Sequence, residues 1–171
     1  YRKLEPEDLQ TLHAIETQTK RYEYVPEDAI HKPANLPPRE VAYRLVNLEK
    51  KGLILRRRGA YTGYRLATAG YDTLAINALV KANVLEAFGK PLGVGKEADV
   101  YDALTPTSQQ VAVKFHRLGR TSFKQTKRKR GYATKYSYTL DWHHQSQIAA
   151  KKEYSALKIL YPKDVAVPEP I

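Results

Sequence analysis

The sequence predicts an α+β chain made of two small domains in tandem. The first half carries amphipathic helical patterns that end in a basic hairpin, and the second half carries a glycine-rich hairpin, a lysine-bearing strand and a helix. A length of 171 residues suits two domains of about 85 residues each. We place the domains at residues 1–84 and 85–171.

Three helical patterns fill the chain up to Gly52. Apolar residues recur at intervals of three and four in the first and third, as expected for helices with one buried face. Pro37 or Pro38 marks the start of the third helix, and Gly52 marks its end. The segments are carried by Leu9, Leu12 and Ile15; by Pro26 through Ile30; and by Val41, Leu45 and Leu48.

A basic hairpin follows these helices. Leu53 to Arg58 forms its first strand, a turn is expected around Gly59 and Gly63, and Tyr64 to Leu66 forms the returning strand. Three helices followed by a two-stranded wing is the element order of a winged helix-turn-helix domain.

A fourth helix leads into the second domain. Thr68 is a candidate N-cap, and Leu74, Ile76 and Leu79 continue the apolar pattern. No long flexible linker follows between residues 82 and 90.

The third helix and the wing of a winged helix usually contact nucleic acid, and both are basic here. Residues 1–88 nevertheless contain 14 Lys and Arg against 11 Asp and Glu. The pattern therefore allows either a phosphate-binding surface or a solvated face that contacts proteins. The candidate nucleic-acid residues are Arg39, Arg44, Lys50, Lys51, Arg56, Arg57 and Arg58.

The second domain contains a glycine-rich stretch, Gly93 to Tyr101, followed by the strand Val111 to Lys114. A turn without bulky side chains can lay its backbone N–H groups over phosphates, while a lysine on the next strand reaches the same phosphates. The spacing matches the glycine and lysine motifs of protein kinases, except that Ala98 replaces the third glycine. It predicts half of an ATP site on the antiparallel sheet of a kinase-like N-lobe. The candidate nucleotide-binding residues are Gly93, Val94, Gly95, Lys96, Glu97, Ala98, Asp99, Val100 and Lys114.

The lysine of such a site needs a carboxylate partner on the following helix. Glu153 is the candidate, since it lies in a helical pattern in which Ala150, Tyr154 and Leu157 recur on one face that we expect to be buried. The alternative is a surface glutamate paired within its own helix. We predict that Lys114 and Glu153 form the catalytic ion pair.

These motifs resemble the RIO family of atypical protein kinases, in the branch that carries an N-terminal winged helix. In that branch an H-R-L-G-R-T-S-F loop follows the lysine strand, here His116 to Phe123. A basic stretch that ends in K-R-D-Y comes next, here Lys129 to Tyr132 with Gly131 in place of aspartate.

The resemblance implies an ATP-dependent serine/threonine kinase or ATPase that acts in maturation of the small ribosomal subunit in the cytoplasm. Its partners would be the precursor particle and its rRNA, and its cofactors ATP and Mg²⁺. By the same resemblance, Gly93 to Val100 would cover the triphosphate, Lys114 would contact the phosphates, Glu153 would hold Lys114, and Val100 would pack on the base.

A strongly basic segment lies between the lysine strand and the helix. From Lys114 to Lys135 there are nine Lys and Arg and no Asp or Glu, within a chain of net charge +11. Such a run repels itself, so we expect a flexible loop over residues 116–140 that orders on RNA phosphates or on bound nucleotide. A surface insertion without a dedicated partner is the alternative. The candidate contacts are Lys124, Lys127, Arg128, Lys129 and Arg130.

Several chemistries find no support in the sequence. Without cysteine there is no disulfide or thiolate metal site, the five histidines are not spaced as metal ligands, and no apolar run could span a bilayer. Neither a His-x-Asp catalytic loop nor an Asp-Phe-Gly motif occurs. We therefore expect the N-terminal part of a longer protein, inactive alone, whose metal ligands lie in a missing C-lobe. The alternative is a nucleic-acid-binding adaptor with a degenerate kinase lobe, which Ala98 and Gly131 would fit.

Overall fold

The computed structural model describes residues 2–117 and 142–171, which form two compact units, residues 1–82 and 83–171. The division lies two residues before the boundary expected from the sequence. Each unit contains its own antiparallel sheet. The predicted α+β architecture, with a helical N-terminal domain and a kinase-like lobe, is confirmed.

The first unit contains four α-helices and a three-stranded sheet of order β1-β3-β2 among the described residues. Its helices bury one apolar face each around a single core that includes Leu12, Ile15, Leu45 and Leu48. The elements are α1 (Pro6–Gln18), β1 (Val25–Pro26), a 3-10 turn (Glu27–Ala29), α2 (His31–Ala34), α3 (Pro38–Lys50), β2 (Ile54–Arg58), β3 (Thr62–Leu66) and α4 (Thr68–Lys81).

The third helix begins and ends as its sequence predicts. Pro38 occupies its first turn, where a missing N–H costs no hydrogen bond. At its end Gly52 adopts φ +68°, and the Leu53 N–H donates to Leu48 O at 3.0 Å. A glycine suits this left-handed position because it has no Cβ to clash.

The segment between α1 and α3 contains the short helical stretch that the sequence predicts. Pro26 is the extended N-cap residue (ψ 148°) of the 3-10 turn Glu27–Ala29, which ends at Ile30. Pro26 also pairs with Gly63 in the sheet, and α2 follows from His31.

Two local predictions were wrong. Gly63 lies inside β3 rather than in the hairpin turn. Thr68 is the first residue of α4 and not its cap, because the extended residue before the helix is Ala67, which has no side chain that could accept a hydrogen bond.

The second unit is an antiparallel sheet of order β4-β5-β6 with one long helix. Its elements are β4 (Ala87–Val94), β5 (Ala98–Leu104), β6 (Gln110–His116), α5 (Trp142–Leu160) and a 3-10 turn (Tyr161–Lys163). Rings of Phe88, Tyr101 and Phe115 lie 4.9 to 5.8 Å apart and hold the three strands together on one face. Among the described residues, no helix combines the length and hydrophobicity that a membrane span requires.

Candidate nucleotide site and basic surface

One row across the sheet of the second unit carries the residues of the predicted nucleotide site. Val100 pairs with Gly93 on one side and with Lys114 on the other. Directly paired residues of antiparallel strands point to the same face. The glycine, the valine and the lysine are therefore neighbours on the face opposite the aromatic rings.

Lys114 and Glu153 meet on that face. The Lys114 ammonium lies 2.6 Å from Glu153 Oε1 and 2.7 Å from Oε2, so both carboxylate oxygens accept hydrogen bonds from it. The two side chains are 40% and 41% exposed. Solvent can therefore reach the pair, and the ammonium is accessible to an anionic ligand.

His116 is a third member of this group, which motif matching did not assign to the site. Its Nε2 lies 3.8 Å from Glu153 Oε2, and its side chain is 13% exposed. Burial lowers the pKa of His116, the neighbouring Lys114 lowers it further, and Glu153 opposes both. The imidazole is therefore held in its neutral form beside the ion pair. Its position two residues after Lys114 on one strand was the available signal.

The glycine-rich turn joins β4 to β5. The Gly95 N–H donates to Ala98 O at 2.8 Å and closes the turn, while Lys96 and Glu97 are exposed. A Cβ added at Gly93 would meet no heavy atom of the described residues within 4 Å. The space over this part of the sheet is therefore open, and the backbone and Lys114 offer the donors that a phosphate needs.

The side chain of Asp99 is engaged within the second unit. Its carboxylate is buried and accepts a hydrogen bond from Arg117 Nε at 3.0 Å. The Arg117 N–H donates to Glu97 O at 2.6 Å, inside the glycine-rich turn. This buried pair ties the turn to the end of β6 and lies on the sheet face opposite Lys114, since Asp99 pairs with Phe115. Arg117 was missed because it lies at the edge of the basic segment.

The helix that carries Glu153 is more exposed than expected. Ala150 and Tyr154 lie at the surface of the described residues, with Tyr154 45% exposed, whereas Leu157 is half-buried. The prediction that this face is buried was therefore wrong for the residues described. Glu153 instead depends on β6 for its contacts.

Arg44 requires a correction. It was predicted on the nucleic-acid surface, but its side chain is 10% exposed and lies among Glu5, Asp8 and Glu40. Although burial alone would lower the pKa of Arg44, the hydrogen bonds that its guanidinium donates to these carboxylates raise it above its ordinary value. The guanidinium is neutralised inside the domain and is not available to a phosphate.

Other predicted contacts of the third helix differ in their surroundings. Arg39 and Lys50 are exposed on α3. Lys51 is also exposed, but its ammonium lies 2.9 Å from the buried Asp8 carboxylate. Arg39 and Lys50 therefore fit a phosphate-binding surface better than Lys51 does.

The arginine triplet of the wing divides between two faces of the sheet because strand side chains alternate. Arg56 lies 3.6 Å from Glu49, and Arg57, on the other face, lies 3.6 Å from Glu23. Arg58 is exposed at the end of β2. The remaining predicted contacts, Lys124, Lys127, Arg128, Lys129 and Arg130, lie outside the described residues.

Two protein-family descriptions match this chain. Residues 1–82 match "Rio2, N-terminal", and residues 99–171 match "RIO domain". A RIO-type serine/threonine-protein kinase Rio2 of Methanocaldococcus jannaschii is 43% identical over 152 residues, covering 89% of this chain and 54% of that protein. The Saccharomyces cerevisiae serine/threonine-protein kinase RIO2 is 36% identical over 171 residues, covering 99% of this chain and 40% of that protein.

A solved structure shows the same architecture. The Rio2 kinase of Chaetomium thermophilum, in its ADP/Mg²⁺-phosphoaspartate complex, superimposes with a TM-score of 0.83 at 37% identity. The match covers 99% of this chain and 50% of that one. This chain therefore spans about half, or less, of the length of these relatives.

Proposed function

Because this chain belongs to the Rio2 branch of the RIO kinase family, we propose that it is the N-terminal part of an ATP-dependent serine/threonine kinase or ATPase. The observation that carries the proposal is the row Gly93, Val100 and Lys114, with Glu153 within hydrogen-bond distance of the lysine. A lysine oriented by a carboxylate beside an open glycine-rich turn is the phosphate-holding half of a kinase site.

Each residue of the row has a distinct task in this proposal. Lys114 binds the phosphates, and Glu153 orients the ammonium. The backbone from Gly93 to Val100 covers the triphosphate, with Lys96 and Glu97 at the exposed tip. The side chain of Val100 packs on the base. The Asp99–Arg117 pair holds the glycine-rich turn against the end of β6.

Magnesium neutralises phosphate charge in such reactions. Among the residues that the structure describes, no group of three or more His, Asp or Glu side chains could hold a metal ion. From the resemblance to RIO kinases, we propose that the metal ligands belong to a C-lobe outside residues 1–171. The ADP and Mg²⁺ of the Chaetomium thermophilum complex support both cofactors for the intact protein.

The partner that we propose is the precursor of the small ribosomal subunit and its rRNA, met in the cytoplasm. Exposed cations on α3 and on the wing support a phosphate contact there, since Arg39, Lys50 and Arg58 face solvent. Lys124, Lys127, Arg128, Lys129 and Arg130 would add to it through their charge. The net charge of +11 favours association with a polyanion.

Lys114→Ala tests the nucleotide site in the full-length protein. We expect ATP turnover to be abolished while RNA affinity stays within a few fold, because the substitution removes the phosphate contact but no residue of the wing. Lys158→Ala, which removes another lysine from the same unit, is the control and should retain turnover. ATP turnover that survives in Lys114→Ala would contradict the role of Lys114, and RNA binding without any ATP binding by the unaltered protein would favour the adaptor.

A further inference from the structure

A small cleft lies at the wing of the first unit, and none of its lining residues is among those predicted to bind nucleotide. Its volume is about 220 Å³, and its lining includes Glu23, Tyr24, Arg57, Tyr61 and Gly63. Ligand pockets for drug-sized molecules usually begin at about 300 Å³. The cleft therefore suits one flat ring system rather than a larger ligand.

Strand register and one glycine create the cleft. Arg57 pairs with Gly63, so both lie on the face of the wing that also carries Tyr24. A Cβ at Gly63 would lie 2.8 Å from Tyr24 Cβ and 2.9 Å from the Tyr61 ring. The missing side chain therefore lets the two tyrosines approach each other.

The tyrosines are held in place before any ligand binds. The Tyr61 hydroxyl donates a hydrogen bond to Tyr24 O at 3.0 Å, which fixes the orientation of the ring. Tyr61 is nevertheless 50% exposed, so one aromatic surface stays open to solvent. A ring fixed in this way loses little conformational freedom when another ring stacks on it.

Charge around the cleft favours an anionic ligand that carries a polar ring. The guanidinium groups of Arg57 and Arg65 lie 5.3 and 5.5 Å from the centre of the Tyr24 ring. Glu23 adds a carboxylate that is 74% exposed and lies 3.6 Å from Arg57. The positive charges of Arg57 and Arg65 beside the Tyr24 ring would repel a cationic ligand, such as a methylated ammonium group.

We propose that this cleft binds one unpaired nucleobase of single-stranded RNA, a step that rests on the proposed RNA contact of the wing. The base stacks on Tyr61, Arg57 contacts the adjacent phosphate, and Glu23 accepts a hydrogen bond from an amino group of the base. A base inside a duplex is stacked between its neighbours and does not enter. The cleft therefore selects unpaired segments without reading a long sequence.

The test uses the full 171-residue chain and an eight-nucleotide single-stranded RNA with 2-aminopurine at one central position. We expect quenching of the 2-aminopurine fluorescence on binding and weaker binding to a duplex of the same sequence. Tyr61→Ala should weaken single-strand binding about tenfold or more, because a base–aromatic stack is lost. Tyr61→Phe, which keeps the ring, should stay within about threefold of the unaltered chain. Tyr154→Ala removes a tyrosine of similar exposure on α5 and should have no effect.

Salt dependence separates stacking from charge. Tyr61→Ala should leave the slope of log affinity against log salt concentration unchanged. Arg57→Gln should make that slope shallower by the contribution of about one phosphate contact. If Tyr61→Ala binds as well as Tyr154→Ala, or if duplex and single strand bind equally, the cleft proposal is overturned while the RNA contact of the wing stands. If the unaltered chain binds neither RNA, the proposed RNA contact is overturned, and the cleft proposal with it. ATP binding by the full-length protein tests the nucleotide site independently of all these results.

Discussion

His116 lies next to the ion pair of Lys114 and Glu153 in the second unit. Its imidazole is 13% exposed, shares a sheet face with Lys114 and lies 3.8 Å from Glu153. Burial is the main cause of its lowered pKa, and the cation of Lys114 adds to it. The neutral ring can therefore support Glu153 without competing with Lys114 for the carboxylate charge.

The lowered pKa makes a prediction for the pH dependence of stability. Below the ordinary histidine pKa of 6.5, the unfolded chain binds the proton more readily than the folded one, so stability falls as the pH decreases towards the folded pKa. Above 6.5 the ring is neutral in both states and the penalty disappears. When the pH is lowered from 7.5 to 5.5, we expect the free energy of unfolding to fall less for His116→Asn than for the unaltered chain. Urea unfolding at each pH measures this difference.

A histidine on the surface provides the control for that measurement. His13 is exposed on α1, and His13→Asn should leave the pH dependence unchanged. Equal acid sensitivity of His116→Asn and the unaltered chain would show that His116 does not carry the effect.

Arg44 makes the second prediction at this scale. Arg44→Met keeps the packing of the aliphatic stem but removes one of the two cations that pair with the Asp8 carboxylate among the described residues. That carboxylate is 1% exposed, and the ammonium of Lys51 would remain beside it. Removing one partner of a buried ion pair costs about 3 kcal/mol or more. We expect a loss of that size in the free energy of unfolding, measured in urea. Arg39→Met removes an exposed arginine from the same helix and should cost less than about 0.5 kcal/mol. Equal losses for the two variants would contradict the structural role of Arg44.

The fourth helix depends on a close approach that only a glycine allows. A Cβ at Gly70 would lie 2.3 Å from Leu53 O and 3.3 Å from Leu66 Cδ2. Both atoms belong to the strands of the wing or to the residue that precedes them, so α4 packs directly against the wing within the first unit.

Gly70→Ala therefore should destabilise the first unit, although alanine favours a helix by about 1 kcal/mol over glycine. Overpacking of a fixed backbone contact costs about 1 to 3 kcal/mol, and here the obstacle is a carbonyl that cannot rotate away. We expect a lower urea midpoint for Gly70→Ala. Gly59→Ala, where a Cβ meets no heavy atom of the described residues within 4 Å, should change the midpoint little. A midpoint for Gly70→Ala at or above that of the unaltered chain would contradict this packing.

The elements differ in how well their sequence predicted them. The start and end of α3 follow from Pro38 and Gly52, because both residues act through local backbone conformation. Pro26 likewise opens the short helical turn that ends at Ile30, but the sequence does not show that Pro26 also pairs with Gly63, which lies 37 positions later in the chain. Local backbone signals could be predicted, and this long-range strand pairing could not.

The candidate site divides in the same way. The spacing of the motifs led to Lys114 and Glu153, whereas the buried partners that hold the site, Asp99 with Arg117, became visible only in three dimensions. Arg44 was predicted as a surface cation because its charge pattern alone does not show the four carboxylates that surround it, those of Glu5, Glu7, Asp8 and Glu40. A motif fixes residue types, but the burial of a charge depends on packing.

For the molecule as a whole, the proposed function assigns one side of a nucleotide site to residues 1–171. They provide the glycine-rich turn, Lys114 and Glu153, but neither a His-x-Asp loop nor an Asp-Phe-Gly motif occurs in the sequence. The relatives are longer, since the matched region covers 54% of one and 40% of another. We therefore expect this chain alone to bind phosphate groups, whereas metal-assisted phosphoryl transfer should require the intact protein.

We predict that residues 1–171 alone bind ATP weakly and do not hydrolyse it. EDTA should leave that weak affinity unchanged if the ligands for Mg²⁺ lie outside this chain, as we propose, whereas it should reduce the affinity and abolish the turnover of the intact protein. Lys114→Ala should remove the binding that residues 1–171 retain, as followed by calorimetry and by phosphate release. Turnover by residues 1–171 that Lys114→Ala abolishes would mean that the metal ligands and the catalytic base lie within this chain. The acidic side chains nearest the row of Gly93, Val100 and Lys114 would then be the candidates for the metal ligands and the catalytic base.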